Sequence, residues 1–373
     1  MKFTTPITTL LSAHLLDSYT LARGWLGRSL GNANTRTNGF LFGYLQGRIS
    51  KNLRAVINGV LGDALAVAGH PLAIPMTFKI NGQPLTLERQ ALTSAIPEIH
   101  TKLVVLVHGI CMSDLQWPRS SADSLQGGVE HAFVPQGSTC VCLHYNSGCH
   151  ISTNGQEFSA LLATLVNQWP IPVTDIVIVG SSLGGLVARS ACHYGAIEGH
   201  HWLQCLSRLI FVGTPHHGSP LERRGNWVDT ILSSNRCTSQ LARLAKIRSA
   251  AITDLRYGNL LDSDWQGCDR FEPRADSRQP VALPTGVVCY TLAATMGKRE
   301  GDFSDRLMGD GLVPLNSALG YHSKAEFCLS FSQFNQWVGY SMHHLELLSH
   351  PNVYAQIKIW LTSPIASQLD AAN

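Results

Sequence analysis

Between residues 176 and 189 the chain reads Ile176-Val177-Ile178-Val179, then Gly180-Ser181-Ser182-Leu183-Gly184-Gly185, then Leu186-Val187-Ala188-Arg189. A run that is apolar at every position belongs to a strand covered on both faces, and sheets covered on both faces are built from parallel strands joined by helices. Runs of the same kind stand at 103–107, 140–144, 209–212 and 287–292. Helical spacing of apolar residues is read at 158–169, closed by Pro170, at 183–196 and at 353–361. This alternation predicts an α/β fold with a doubly wound, mostly parallel sheet.

Composition agrees with a folded, core-rich chain. Of 373 residues 45% are hydrophobic and only 14% charged, against about 25% charged in an ordinary domain. With 28 Lys+Arg and 25 Asp+Glu the formal charge is +3, too weak a field for a phosphate backbone, so nucleic acid is not an expected partner. The ten cysteines are scattered rather than spaced as a small disulfide framework, which suggests a reducing, cytoplasmic setting. His14 and Asp17 interrupt the first apolar stretch, so no signal peptide is expected, and Arg54, Asn58 and Asp63 break the stretch 53–69, so no spanning helix is expected.

Two amphipathic helices are predicted before the first strand, one over 7–26 and one over 53–68. Their stripes pack on a core or, in the alternative reading, rest peripherally on a membrane surface. Next, Asn81-Gly82 between 77–80 and 83–87 marks a tight hairpin, which Pro84 assigns to a sheet edge. Residues 1–95 are therefore read as an N-terminal helical extension with an edge hairpin, and 96–373 as the main domain. Within that domain 214–284 is too long for a strand connection and is read as an inserted cap, helical over 227–261. A strand-like stretch is read at 325–331.

Small residues two before and two after a serine, at a strand-to-helix turn, make the sharp bend that lifts a hydroxyl above the sheet at a helix N-terminus. Ser182 is that serine, with Ser181 a competitor beside it. The earlier strand runs into Val107-His108-Gly109-Ile110, so the backbone N–H groups of Ile110 and Leu183 are candidate donors to an oxyanion. His108 is read as a structural residue that holds its loop. A serine needs a histidine to take its proton and a carboxylate to orient that histidine. Asp310, in the Gly-flanked loop Met308-Gly309-Asp310-Gly311-Leu312-Val313-Pro314, is chosen over Asp302 and Asp305, which lie in a polar run. His344 is chosen over His343 because Leu345, Leu347 and Leu348 follow it as anchors, and His350 is read as a residue at a helix start.

These blocks, together with Gly213-Thr214-Pro215-His216-His217-Gly218-Ser219, resemble the α/β-hydrolase superfamily of the lipase and esterase kind, including bacterial relatives of GPI inositol-deacylase, over about residues 101–361. The resemblance implies the order Ser182, Asp310, His344 for the catalytic residues. It implies a substrate pocket near His108, Gly109, Thr214, Pro215 and His217, no cofactor, and a small-molecule or lipid ester as partner. Two departures stand out: Ser181 occupies a position where the family more often has His or Tyr, and the first hundred residues match no named pattern. His216 and His217 are read as a loop clamp rather than as metal ligands. Cys140, Cys142, His144, Cys149 and His150 carry zinc-type ligand atoms but lack a second pair at finger-like spacing, so no metal site is expected, and Asp302, Asp305 and Asp310 are not assigned to calcium. The reading is therefore a carboxylic ester hydrolase acting through an acyl-enzyme. Its alternatives are an acyltransferase or thioesterase with the same three residues, or a non-catalytic, membrane-associated binding module on the same fold.

Overall fold

The structure, a computed structural model, describes residues 50–117, 133–219, 222, 248–270, 272, 275–299 and 309–364. The predicted helix over 7–26, Asp302, Asp305, Met308 and most of the expected cap helix, 227–247, lie outside the described residues. The chain begins in this description with helix α1, Lys51–Val67, capped by the Ser50 hydroxyl, which accepts from Leu53 N–H. The strands are β1 Thr77–Ile80, β2 Gln83–Pro84, β3 Lys102–Val107, β4 Thr139–His144, β5 Asp175–Ser181, β6 Leu206–Val212, β7 Val288–Thr295 and β8 Gln336–Tyr340. They form a single sheet in the order β2-β1-β4-β3-β5-β6-β7-β8. Only the two pairings of β1 are antiparallel; β4 through β8 run parallel.

Strand side chains alternate between two cores. Val105, Val107, Ile176, Ile178, Leu209 and Phe211 join helices α2, Ile151–Gln168, and α3, Leu183–Ile197, through Phe158, Leu162, Leu186 and Val187. Val104, Leu106, Val177, Val179, Ile210 and Val212 face the other way, onto Ile357, Trp360 and Leu361 of helix α4, Pro351–Thr362. His350 caps α4, its ring nitrogen accepting from Asn352 N–H at 3.3 Å. No described helix is long and apolar enough to cross a membrane.

The hairpin at Asn81-Gly82 sits at the sheet edge, with both residues at positive φ (50° and 76°) as a tight turn requires. The predicted strand at 325–331 is not one. Phe327, Leu329 and Phe331 are buried in alternation, which produced the expectation, but they pack under a loop. Leu329 N–H donates to Gly320 O at 2.9 Å, and the added strand is instead Gln336–Tyr340, at the edge beside β7. The stripe of α1 is used for packing, because Val56 and Val60 belong to the core, and Ala55, Asn58, Gly59 and Gly62 are buried as well.

Helices α2 and α3 touch closely at Gly155. A Cβ there would lie 2.2 Å from Ser190 Oγ and 3.0 Å from Ala191 N, and Ser190 Oγ is already engaged to Leu260 O at 2.8 Å. Gly155→Ala gains up to about 1 kcal/mol of helix propensity but overpacks the contact by about 1–3 kcal/mol. Urea unfolding is expected to show a net loss of stability; an equal or greater stability would refute the contact.

Candidate active site

The strand-to-helix turn after β5 gathers the site. Ser182 has φ 51° and ψ −120° and donates its N–H to Val212 O at 2.8 Å, which pins the turn to β6. A Cβ at Gly180 would come within 2.6 Å of Gly185 Cα, and one at Gly184 within 2.3 Å of Val107 O. Both glycines are thus required by space.

The hydroxyl and the imidazole meet although 162 residues separate them, with Ser182 Oγ 3.0 Å from His344 Nε2. On the other side of the ring, His344 Nδ1 lies 2.7 Å from Asp310 Oδ2. A carboxylate oxygen can only accept there, so the proton sits on Nδ1 and Nε2 is left to accept from the serine. Asp310 Oδ1 accepts from Leu312 N–H at 3.0 Å and Val313 N–H at 2.7 Å, and Asp310 O accepts from His344 N–H at 3.0 Å. The carboxylate is held by its own loop, which makes its direction independent of solvent. Ser182, Asp310 and His344 are 3%, 1% and 6% exposed, whereas His343 is exposed and donates its N–H to Glu346 Oε2. Ser181 stays in the strand β5.

Gly109 lies against the serine. A Cβ at Gly109 would be 3.2 Å from Ser182 Cβ and 3.4 Å from Ser181 O. Leu183 is the first residue of α3, so its N–H is among those a helix start leaves without an internal acceptor. His108 Nδ1 is 2.8 Å from Gly109 O. The ring stacks on Tyr145 at 4.4 Å, and the Tyr145 hydroxyl donates to His108 O at 2.7 Å. Tyr145 is the residue that sequence reasoning missed; its only signal is its place directly after a buried strand. A further brace comes from the N-terminal side. Cys111, at φ 59°, donates its N–H to Ser147 Oγ at 3.1 Å, and a Cβ at Gly59 of α1 would fall 2.3 Å from Cys111 Sγ. Helix α1 is therefore a wall behind the 109–111 loop.

The 213–219 block divides. Gly213 passes under the imidazole, where a Cβ would be 3.1 Å from His344 Cε1, and Thr214 fills the space over Gly185. Pro215 is buried in the same loop, and its carbonyl accepts from Gly218 N–H at 2.9 Å. His217 Nδ1 lies 3.0 Å from Arg278 Nη2 and its ring 5.0 Å from His322.

Burial keeps the neighbouring histidines His108 and His144 neutral. His108 is pushed down to about 4, mainly by desolvation, and His144 to about 3 by desolvation and the neighbouring Lys79 ammonium. Asp114 binds Lys79 Nζ at 3.0 Å and sits 3.5 Å from His144 Nδ1. Burial and the neighbouring Cys142 push the Cys140 thiol well up. Among the described residues no three His, Cys, Asp or Glu side chains gather as a metal-binding group.

Residues 158–283 match the family model of the PGAP1-like alpha/beta domain. The chain is similar to a Bacillus licheniformis lipase in its mature form at 18% identity, covering 78% of this chain and 98% of that one with a TM-score of 0.43. It is similar to a Pyrococcus furiosus esterase at 12% identity, over 70% of this chain and 82% of that one, TM-score 0.40. A third similarity is to a type II thioesterase of yersiniabactin biosynthesis, at 16% identity over 74% and 95%, TM-score 0.37. No curated protein sequence matches.

The neutral histidines set a pH dependence. A histidine whose folded pKa is depressed must be charged against burial in the folded state, so the unfolded chain binds more protons between about 6.5 and the folded value. Stability is complete above about 6.5 and is lost as pH falls toward 4; from His108 alone, with its pKa at about 4, the loss is about 3 kcal/mol. Urea titrations from pH 7.5 to 4 are expected to show this decline, and a flat profile would contradict the buried, neutral His108. Residues 158–283 thus match a PGAP1-like alpha/beta domain, and the described residues form an α/β fold with a mostly parallel eight-stranded sheet covered by helices on both faces.

Proposed function

We propose that the chain is a serine hydrolase that cleaves carboxylic esters of acyl or lipid-like character through an acyl-enzyme. The observation that carries this reading is the continuous line from Ser182 Oγ through His344, at 3.0 Å and 2.7 Å, to Asp310. In this reading His344 takes the hydroxyl proton as Oγ attacks the ester carbon, then delivers it to the departing alcohol. Asp310 holds the tautomer and stabilises the imidazolium. The tetrahedral oxyanion is held by the N–H groups of Ile110 and Leu183, each worth about 3–4 kcal/mol of barrier. Water, deprotonated by His344, then attacks the acyl-serine and releases the acid with the serine restored. The preference for an apolar acyl group is supported by the low charge content of 14% and by the apolar shell that keeps the three residues dry.

Hydrolysis of p-nitrophenyl esters with acyl chains of increasing length tests the proposal. Ser182→Ala is expected to lower kcat by about 10⁵–10⁶-fold and Asp310→Asn by about 10⁴-fold, while His343→Ala leaves it nearly unchanged. Turnover that persists in a folded Ser182→Ala protein would remove the assignment.

A further inference from the structure

The proposed ester chemistry needs the Ile110 N–H aimed at the space beside Ser182. Ile110 is only 3% exposed, and among the described residues its N–H has no acceptor. A buried N–H without an acceptor is rare in a folded chain, and an oxyanion beside the serine would satisfy this one. Its direction is set by one rigid unit. The peptide that joins Gly109 to Ile110 is planar and trans, so the Gly109 carbonyl and the Ile110 N–H share a plane and point in opposite directions. Whatever holds the carbonyl therefore aims the N–H.

The carbonyl is held by His108. Its Nδ1 lies 2.8 Å from Gly109 O, and because a carbonyl only accepts, the proton sits on Nδ1. Met112 N–H adds a longer contact to the same oxygen, at 3.4 Å. The other ring nitrogen, Nε2, is buried with no hydrogen-bond partner among the described residues, so the Gly109 bond is the one polar contact the ring makes there. Tyr145 sets the plane of the ring, stacked on it at 4.4 Å with 21° between the two planes, while its hydroxyl donates to His108 O at 2.7 Å. Both peptide units of the His-Gly step are thus tied, the first by Tyr145 and the second by His108.

The glycine makes this tie necessary. A Cβ at 109 would stand 3.2 Å from both Ser182 Cβ and Met112 Sδ, so the close approach to the serine favours a residue without one. Glycine is also the residue whose backbone turns most freely. Rotation of the 109–110 unit about its two Cα atoms would exchange the N–H for the carbonyl oxygen beside the serine, and an acceptor there repels an oxyanion. Beyond the unit, Cys111 is fixed by its own N–H on Ser147 Oγ at 3.1 Å. The freedom that remains lies in the 109–110 plane, and the His108 Nδ1–H bond is the side-chain contact that removes it.

We propose that His108 is a positioning residue for the oxyanion site: by holding Gly109 O with its Nδ1–H, it keeps the Ile110 N–H turned toward the oxygen that gains negative charge. The inference rests on the hydrolase reading and adds a residue to it. His108 moves no proton and touches no substrate. Its effect is confined to the tetrahedral stages, where the oxyanion exists. Formation and hydrolysis of the acyl-serine pass through the same oxyanion site, so loss of the tie slows both steps together, and kcat falls while KM stays.

The test pairs two substitutions of equal size in the full chain. In His108→Asn the amide nitrogen takes the place of Nδ1 and can still donate to Gly109 O, whereas His108→Leu has the same shape and no donor; both lose the stacking on Tyr145. With p-nitrophenyl esters His108→Leu is expected to lower kcat about 10²-fold at unchanged KM, and His108→Asn to run about tenfold faster than His108→Leu. Equal kcat in the two variants, or a loss carried by KM, would overturn the proposal, because a merely structural role damages both alike. Where neither variant folds, the unsubstituted chain is treated with an alkyl p-nitrophenyl phosphonate and crystallised. The adduct on Ser182 is expected to place a phosphonyl oxygen within hydrogen-bond distance of Ile110 N while Gly109 O stays on His108 Nδ1. An adduct in which Gly109 O has left His108 would overturn this proposal alone, whereas a Ser182 that takes no phosphonate would remove the hydrolase reading and this inference with it.

Discussion

The molecule is organised around one turn with no spare room. Ser182 holds a backbone conformation at φ 51° that a side chain rarely tolerates, and residues so placed carry about 1–3 kcal/mol of strain. The turn survives because its surroundings leave it no alternative. Its N–H is taken by β6, its flanking glycines abut the chain of β3 and the first turn of α3, and four central strands pack on both faces. A strained residue can be retained only where neighbouring packing over-determines it, and the deepest part of a sheet covered on both sides is such a place.

From that turn the remaining groups follow by topology. In a parallel sheet every strand ends at the same rim, so the loops after β3, β5, β7 and β8 converge there. Gly109 and Ile110 come from the first of these loops, Asp310 from the segment after β7 and His344 from the segment after β8. Backbone hydrogen bonds fasten these loops to one another: Met296 N–H to Gly309 O at 2.8 Å, Met342 N–H to Thr295 O at 3.0 Å, and His344 N–H to Asp310 O at 3.0 Å. The imidazole is therefore placed by main chain before its side chain finds the carboxylate. Residues far from this rim contribute by bracing. Helix α1 and Tyr145 hold the 108–111 loop from behind, and neither touches the hydroxyl through a recorded hydrogen bond.

Much of this was legible in the residues. The turn at 180–185, the five buried strands, the Asn81-Gly82 hairpin and the Gly-flanked Asp310 each carry a local signature, because buried strands, positive φ and tight loops limit the side chains allowed. Preferring His344 to His343 also rested on local evidence: the apolar residues after it anchor a short helical turn that turns one imidazole inward and leaves the other exposed. Other features had no such signature. Phe327, Leu329 and Phe331 alternate as a strand would, yet they join no sheet ladder: Leu329 and Phe331 pack against Gly320, and Phe327 against His322. His217 belongs to a block that resembles an active-site loop, yet its ring answers Arg278.

The amino-acid sequence alone determined the sheet class and the serine turn and offered Ser182, Asp310 and His344 as candidates, since each carries a signature within a few residues. Tertiary structure alone decided the distances among those groups, the edge strand at 336–340 and the wall that α1 forms behind Cys111. Those features join segments separated by tens to hundreds of residues. Periodicity records which face of an element is apolar, but not which distant surface will cover it, and burial of a charge is a property of that covering surface.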